Sequence, residues 1–188
     1  MLYWYIYKNA VCLRRKLNMA IPCSEFVLKQ SLTKKKLDKY SVIDFCKDAG
    51  INRGLFYSQY RNLSDLFVSV LTLRLKKSMR NTKNESINRV FYRLLCKIKK
   101  DAVFYLNILH ISKKHETFYP ILKKEIAIGL ENYMRPRGAF SVRTIELVAE
   151  GIYSVLFNWI SHEYQTDIRD IYQCINLFLP QIEKDAKK

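Results

Sequence analysis

Helix breakers are scarce in this chain. Its 188 residues hold five glycines and four prolines, and few of them cluster. That scarcity predicts a mostly helical protein. With 49% apolar and 27% charged residues, the chain is globular rather than disordered. Cysteine is odd in number and scattered: Cys12, Cys23, Cys46, Cys96 and Cys174 show no metal-ligand spacing and read as reduced core residues of a cytoplasmic protein. The histidines His110, His115 and His162 form no HxxxH or HExxH pattern, so no metal is expected. A Gly-rich phosphate loop and a paired nucleophile and base are both missing, so the sequence predicts neither an enzyme nor a cofactor. No internal repeat or low-complexity tract stands out.

Positive charge is abundant and unevenly placed. The formal charge of +16 lies entirely in residues 1–120, which carry 24 Lys/Arg against 8 Asp/Glu, whereas residues 121–188 carry 9 of each. A basic front and a neutral back imply a polyanion-binding part followed by a part with another task. A generally basic proteome would explain the total, but it explains the split less well.

The first eighteen residues, MLYWYIYKNAVCLRRKLN, are aromatic and end basic. Their apolar part is far short of the ~20 residues that span a bilayer. A signal peptide would place positive charge before the apolar run, not after it. Arg14-Arg15-Lys16 can be encoded by a purine-rich stretch like a bacterial ribosome-binding site, a few codons before Met19. This favours Met19 as the start, with the segment a translated leader; an interfacial anchor or an extra helix or arm are the alternatives.

Pro22 suits the first turn of a helix, along which Phe26, Val27, Ser31 and Leu32 make an apolar face. After Lys34–Lys36, Leu37 and Tyr40 anchor the connection. Ser41 and Asp44 then form the S-x-x-D of a capping box, and Val42, Phe45, Cys46 and Ala49 recur at helical spacing. Gly50 sits where a left-handed terminus is needed, Ile51 plugs the turn, and Asn52 caps the next helix. Two short helices joined by a tight turn, the second basic at its start, make a helix-turn-helix. Asn62 and Asp65 open a long helix to about Met79, and the polar NTKNES is the best junction. Helical patterns then recur over Ile87–Lys100, Ala102–Ile111, a Pro120-interrupted Glu116–Met134, Val142–Tyr164 and Ile168–Glu183, with a loop at RPRGAF (Arg135–Phe140).

Residues SVIDFCKDAGINRGLFYSQY (Ser41–Tyr60), then RNLSDLF, resemble the helix-turn-helix of TetR/AcrR-family transcriptional regulators, whose pattern is T-V-x-D-I-x-x-x-A-G-[VI]-[SN]-[RK]-G-x-[FL]-Y-x-x-[FY]. The preceding KKKLDKYS also fits, and the specific match covers about residues 27–67. The resemblance implies an all-α fold of about nine helices. A three-helix DNA-binding domain (residues 21–67) would precede a ligand-binding and dimerisation domain (68–188), with residues 1–20 an extra segment. It implies a homodimer on a palindromic operator, a repressor or activator governed by an unidentified small-molecule effector, with no stable membrane association.

Residue by residue, Phe56 packs the recognition helix on the core. Asn52 and Arg53 reach phosphate or guanine, where a bidentate Arg contact discriminates by ~1–3 kcal/mol. Gly54 allows close approach, and Tyr57 leans on the sugar-phosphate backbone. The resemblance implies that Leu55, Ser58 and Gln59 read bases, with Ser41, Tyr60 and Arg61 completing the set. Family members usually carry a Lys at the start of helix four; here Leu63 occupies that place and Arg61 supplies the charge.

Behind this motif, Val142, Ile145, Val148, Ala149, Ile152, Val155, Leu156, Trp159 and Ile160 form a stripe too wide for one partner. Ile168, Ile171, Tyr172, Ile175, Phe178, Leu179 and Ile182 form a second. The expected dimer interface takes Ile145, Val148, Ile152, Val155, Trp159, Ile171, Ile175, Phe178 and Ile182; a purely intrachain core is the alternative. Phe91, Tyr92, Phe104, Tyr105, His110, Tyr119 and Trp159 are the candidate effector pocket, or plain core. Two competing functions remain: a peripheral membrane or nonspecific polyanion binder using the aromatic N-terminus, and, less plausibly, a small helical enzyme.

Overall fold

The computed structural model describes residues 20–79, 85–112, 115–138, 140–180 and 182, omitting the side chains of residues 20–23 and 115–120. The N-terminal segment preceding Ala20 and most of NTKNES therefore lie outside the described residues. Nine α-helices and no strand are found among those described: α1 Ala20–Leu32, α2 Val42–Ala49, α3 Arg53–Tyr57, α4 Leu63–Met79, α5 Ile87–Lys100, α6 Ala102–Ser112, α7 His115–Met134, α8 Val142–Ser161 and α9 Ile168–Asn176. The fold is all-α, as the sequence predicts. No helix among the described residues is long and apolar enough to cross a membrane.

Local chemistry sets the helix starts. Asn62 Oδ1 accepts from Asp65 N at 2.9 Å before α4, and Ser86, Ser141 and Asp167 likewise cap α5, α8 and α9 through side-chain oxygens. In α1 the buried face is Ser24, Val27, Leu28 and Leu32. Phe26, expected on that face, is 42% exposed, because it lies two positions from both Ser24 and Leu28, about 200° around the helix from their row. Pro120 does not break α7; the helix runs through it.

One expected helix ends early and another is interrupted. α8 stops at Ser161, and Glu163 and Tyr164 then adopt left-handed φ of 54° and 61°, with Tyr164 N bonding back to Trp159 O at 2.9 Å. No glycine marks this turn. The expected Ile168–Glu183 helix is interrupted after Asn176, where Leu177 and Phe178 switch to bonds three residues back and Pro180 cannot donate to the Asn176 carbonyl; residues 179, 180 and 182 are again helical.

The helices share one apolar cluster running from Val27 to Ile182. α7 packs along both α4 and α8, and α9 covers α5 and α8. α1 touches α2, α4 and α6, so the N-terminal helices are seated on α6 as well as on α4.

Candidate nucleic-acid interface

The corner made by α2 and α3 is built almost entirely from short-range contacts. Ser41 Oγ accepts from Asp44 N (3.3 Å) while Asp44 Oδ2 accepts from Ser41 N (2.9 Å) and from the Ser41 hydroxyl (2.7 Å). These hydrogen bonds hold the Asp44 carboxyl below the usual carboxylate range. Gly50 ends α2 at φ 64°, a conformation that costs a side-chain-bearing residue more than glycine. Asn52 Oδ1 then accepts from Leu55 N at 2.8 Å and starts α3.

Phe56 is fully buried and meets Phe45 edge-on with ring centroids 5.7 Å apart. On the other side of α2, Asp48 Oδ2 accepts from Ser31 (2.5 Å) and from Tyr40 (2.9 Å), locking α1 to α2. With Phe56 inward, the opposite surface of α3 faces solvent. Arg53, Gly54, Leu55 (47%) and Tyr57 (57%) of α3 are exposed, as are Ser58, Gln59 and Arg61 just after it.

The ten residues expected to meet DNA thus separate into three groups. Arg53, Gly54, Leu55, Tyr57, Ser58, Gln59 and Arg61 are exposed. Ser41 and Asn52 are exposed too, but their side-chain oxygens are already committed to capping. Tyr60 is a correction: it is buried, its ring 5.5 Å from Phe56 and its hydroxyl sharing a 3.0 Å hydrogen bond with Ser24. Spacing of four from Phe56 places it on the inward face. Leu63, in place of a lysine, packs partly buried against the core.

Among the described residues, the expected effector set divides between core and surface. Phe91, Phe104, Tyr105 and Trp159 are core, and Trp159 Nε1 donates to Thr166 O at 2.9 Å. Tyr92 is exposed and stacks edge-on against Tyr172, while the Tyr119 side chain lies outside those described. His110 borders a cleft shared with residues of the α1–α2 connection.

The expected dimer surface also needs correction. Ile145, Val148, Ile152, Trp159, Ile171, Ile175 and Ile182 are buried within the single chain, because α7 and α9 cover α8. Val155 and Phe178 are partly buried, and Phe178 lies over Gly151, where a Cβ would come within 2.5 Å of its ring. The apolar side chains left facing outward are Val142, Leu147 (65%) and Leu177 (74%).

Sequence reasoning missed a buried polar junction beneath the corner. Asn107 of α6, 2% exposed, donates to the carbonyls of Leu32 (2.8 Å) and Lys35 (2.7 Å) and accepts from Leu37 N (2.8 Å). Nearby, Arg74 of α4 pairs with Asp101, reaches Glu25 at 3.5 Å and lies 4.7 Å over the Phe104 ring. Asp101 also accepts from Lys29 at 3.3 Å, and Lys77 meets Glu25 at 2.6 Å. Burial works against the Asp101 charge, but Lys29 and Arg74 outweigh it and hold its pKa below the usual range. These partners are 27 to 75 residues apart, so no local pattern could have shown them.

No protein-family model and no curated protein matches the chain. Among solved structures, it is similar to the dihydroxyacetone kinase operon activator DhaS, with a TM-score of 0.60 and 18% identity over 87% of this chain and 96% of that one. A Pseudomonas aeruginosa PAO1 protein, described as a candidate transcriptional regulator, matches with a TM-score of 0.47 and 14% identity over 88% of this chain and 90% of its own. At these identities the comparison concerns architecture, and the chain has the helical fold seen in DhaS.

Proposed function

We propose that this protein is a sequence-specific DNA-binding transcriptional regulator of the TetR/AcrR type. It acts as a homodimer, and a small-molecule effector governs its hold on a palindromic operator. The observation that carries this reading is the α3 surface: Phe56 anchors the helix from beneath, while Arg53, Tyr57 and Gln59 stand exposed together above it. A guanidinium, a phenol and a carboxamide are suited to phosphate and base edges in a major groove. In this division residues 21–67 bind DNA and residues 68–188 carry dimerisation and regulation.

The test is selection of a DNA site from a random duplex pool. The triple variant Arg53→Ala, Tyr57→Ala, Gln59→Ala should lose at least ~100-fold affinity for that site, since each good base contact is worth ~1–3 kcal/mol. Sequence preference surviving the triple change would sink this assignment of the recognition helix. Affinity should also fall steeply with salt.

Dimerisation uses the outward Leu147 and Leu177 rather than the buried stripes. Leu147→Glu with Leu177→Glu should give a monomer by sedimentation equilibrium, with unchanged helicity. A repressor is the leading form of the proposal. The activator reading is favoured by one observation, that the similar DhaS is an operon activator. Transcription from a promoter bearing the selected site, with and without the protein, separates the two.

A further inference from the structure

The cleft beside His110 has a volume of about 600 Å³, within the range of small-molecule sites. It lies where three segments meet: the α1–α2 connection, α6, and the left-handed turn after α8. Its apolar base is Leu37, Leu106 and Leu109, partly buried against the core. Its rim carries two carboxylates, Asp38 and Glu163, against one ammonium, Lys36.

The rim already holds an ammonium. Lys36 Nζ pairs with Glu163 across the cleft mouth, while the Asp38 carboxylate has no ion pair or hydrogen bond among the described residues. Both partners of the Lys36–Glu163 pair are more than half exposed, and such pairs are weak and readily replaced. The wall between them is mechanically connected, because Leu37 N is the group that donates to Asn107 Oδ1 of α6.

We propose that this cleft binds a small organic amine with an apolar body of roughly phenethyl size. The ligand ammonium takes the place of Lys36 on Glu163 and adds Asp38 as a second partner, and its body covers Leu37, Leu106 and Leu109. Occupancy releases Lys36 and shifts the connection that Asn107 ties to α6. The proposal deepens the effector reading above and rests on it for the consequence at DNA, but not for the binding itself.

The probe is 2-phenylethylamine, titrated into the full chain by calorimetry at neutral pH. 2-Phenylethanol serves as the uncharged control and phenylacetate as the anionic one. The amine should bind at least tenfold more tightly than the alcohol, and phenylacetate should not compete with it. Asp38→Asn with Glu163→Gln should remove that preference, while Lys36→Gln should tighten amine binding severalfold by removing the internal competitor. No amine binding, equal amine and alcohol binding, or amine binding unchanged in the double variant overturns the site. On the selected DNA, saturating amine should weaken binding severalfold in the parent chain and not in the double variant; unchanged DNA affinity with the amine bound overturns the coupling. A chain that selects no DNA site would defeat the regulatory reading, yet the amine titration would still decide the cleft.

Discussion

The α2–α3 corner and the buried junction at the α1–α2 connection both depend on polar side chains, but they use them in opposite ways. At the corner, Ser41 with Asp44 and Asn52 with Leu55 are three residues apart and exposed, so each contact closes a helix start and little else. At the junction, Asn107 reaches across 70 to 75 residues and is buried, satisfying three backbone groups of the α1–α2 connection at once. Local polar contacts leave the outer face of α3 free to meet a partner. Long-range ones hold that face at a set place relative to α4 and α6.

The largest effect on stability should come from the junction. Asn107→Ala strips partners from two carbonyls and one N–H, and by the cost of unsatisfied buried groups it should destabilise the fold by about 3 kcal/mol in urea unfolding. At the corner, Ser41→Ala removes an exposed cap and should cost about 1 kcal/mol. If the two variants prove equal, burial does not distinguish the regions and the comparison fails.

Acid sharpens the same contrast. The Asp101 carboxyl titrates below its ordinary value when folded, so its contribution is complete above the unfolded pKa of ~3.9 and is lost as pH falls through the folded value. Stability should therefore decline more steeply below about pH 4 in the parent than in Asp101→Asn. An unchanged acid limb in that variant would remove Asp101 from the account. Asp44 has the same sign of shift, but it belongs to an exposed capping box, and Asp44→Asn should flatten the limb less.

The corner was legible because its physics is local. A capping box, a left-handed glycine and an N-cap asparagine are fixed-offset chemistry, and each appears as Ser41–Asp44, Gly50 and Asn52. Tyr60, four residues after Phe56, turns inward with it, and a family pattern does not say which aromatic does so. The wide stripes of α8 and α9 suit a second copy as well as an intrachain neighbour. Hydrophobicity shows that a face must be covered, but not whether α7 or another chain covers it.

By itself, then, the sequence determined the helices, the turn between α2 and α3 and the basic front half, since these follow from propensity, capping and charge within a few residues. The tertiary structure alone decided that Arg74, Asp101 and Asn107 form a junction, that Leu147 and Leu177 are left outward, and that Lys36, Asp38 and Glu163 rim a cleft. Contacts between residues tens of positions apart depend on how helices pack, and packing is set by the whole core at once.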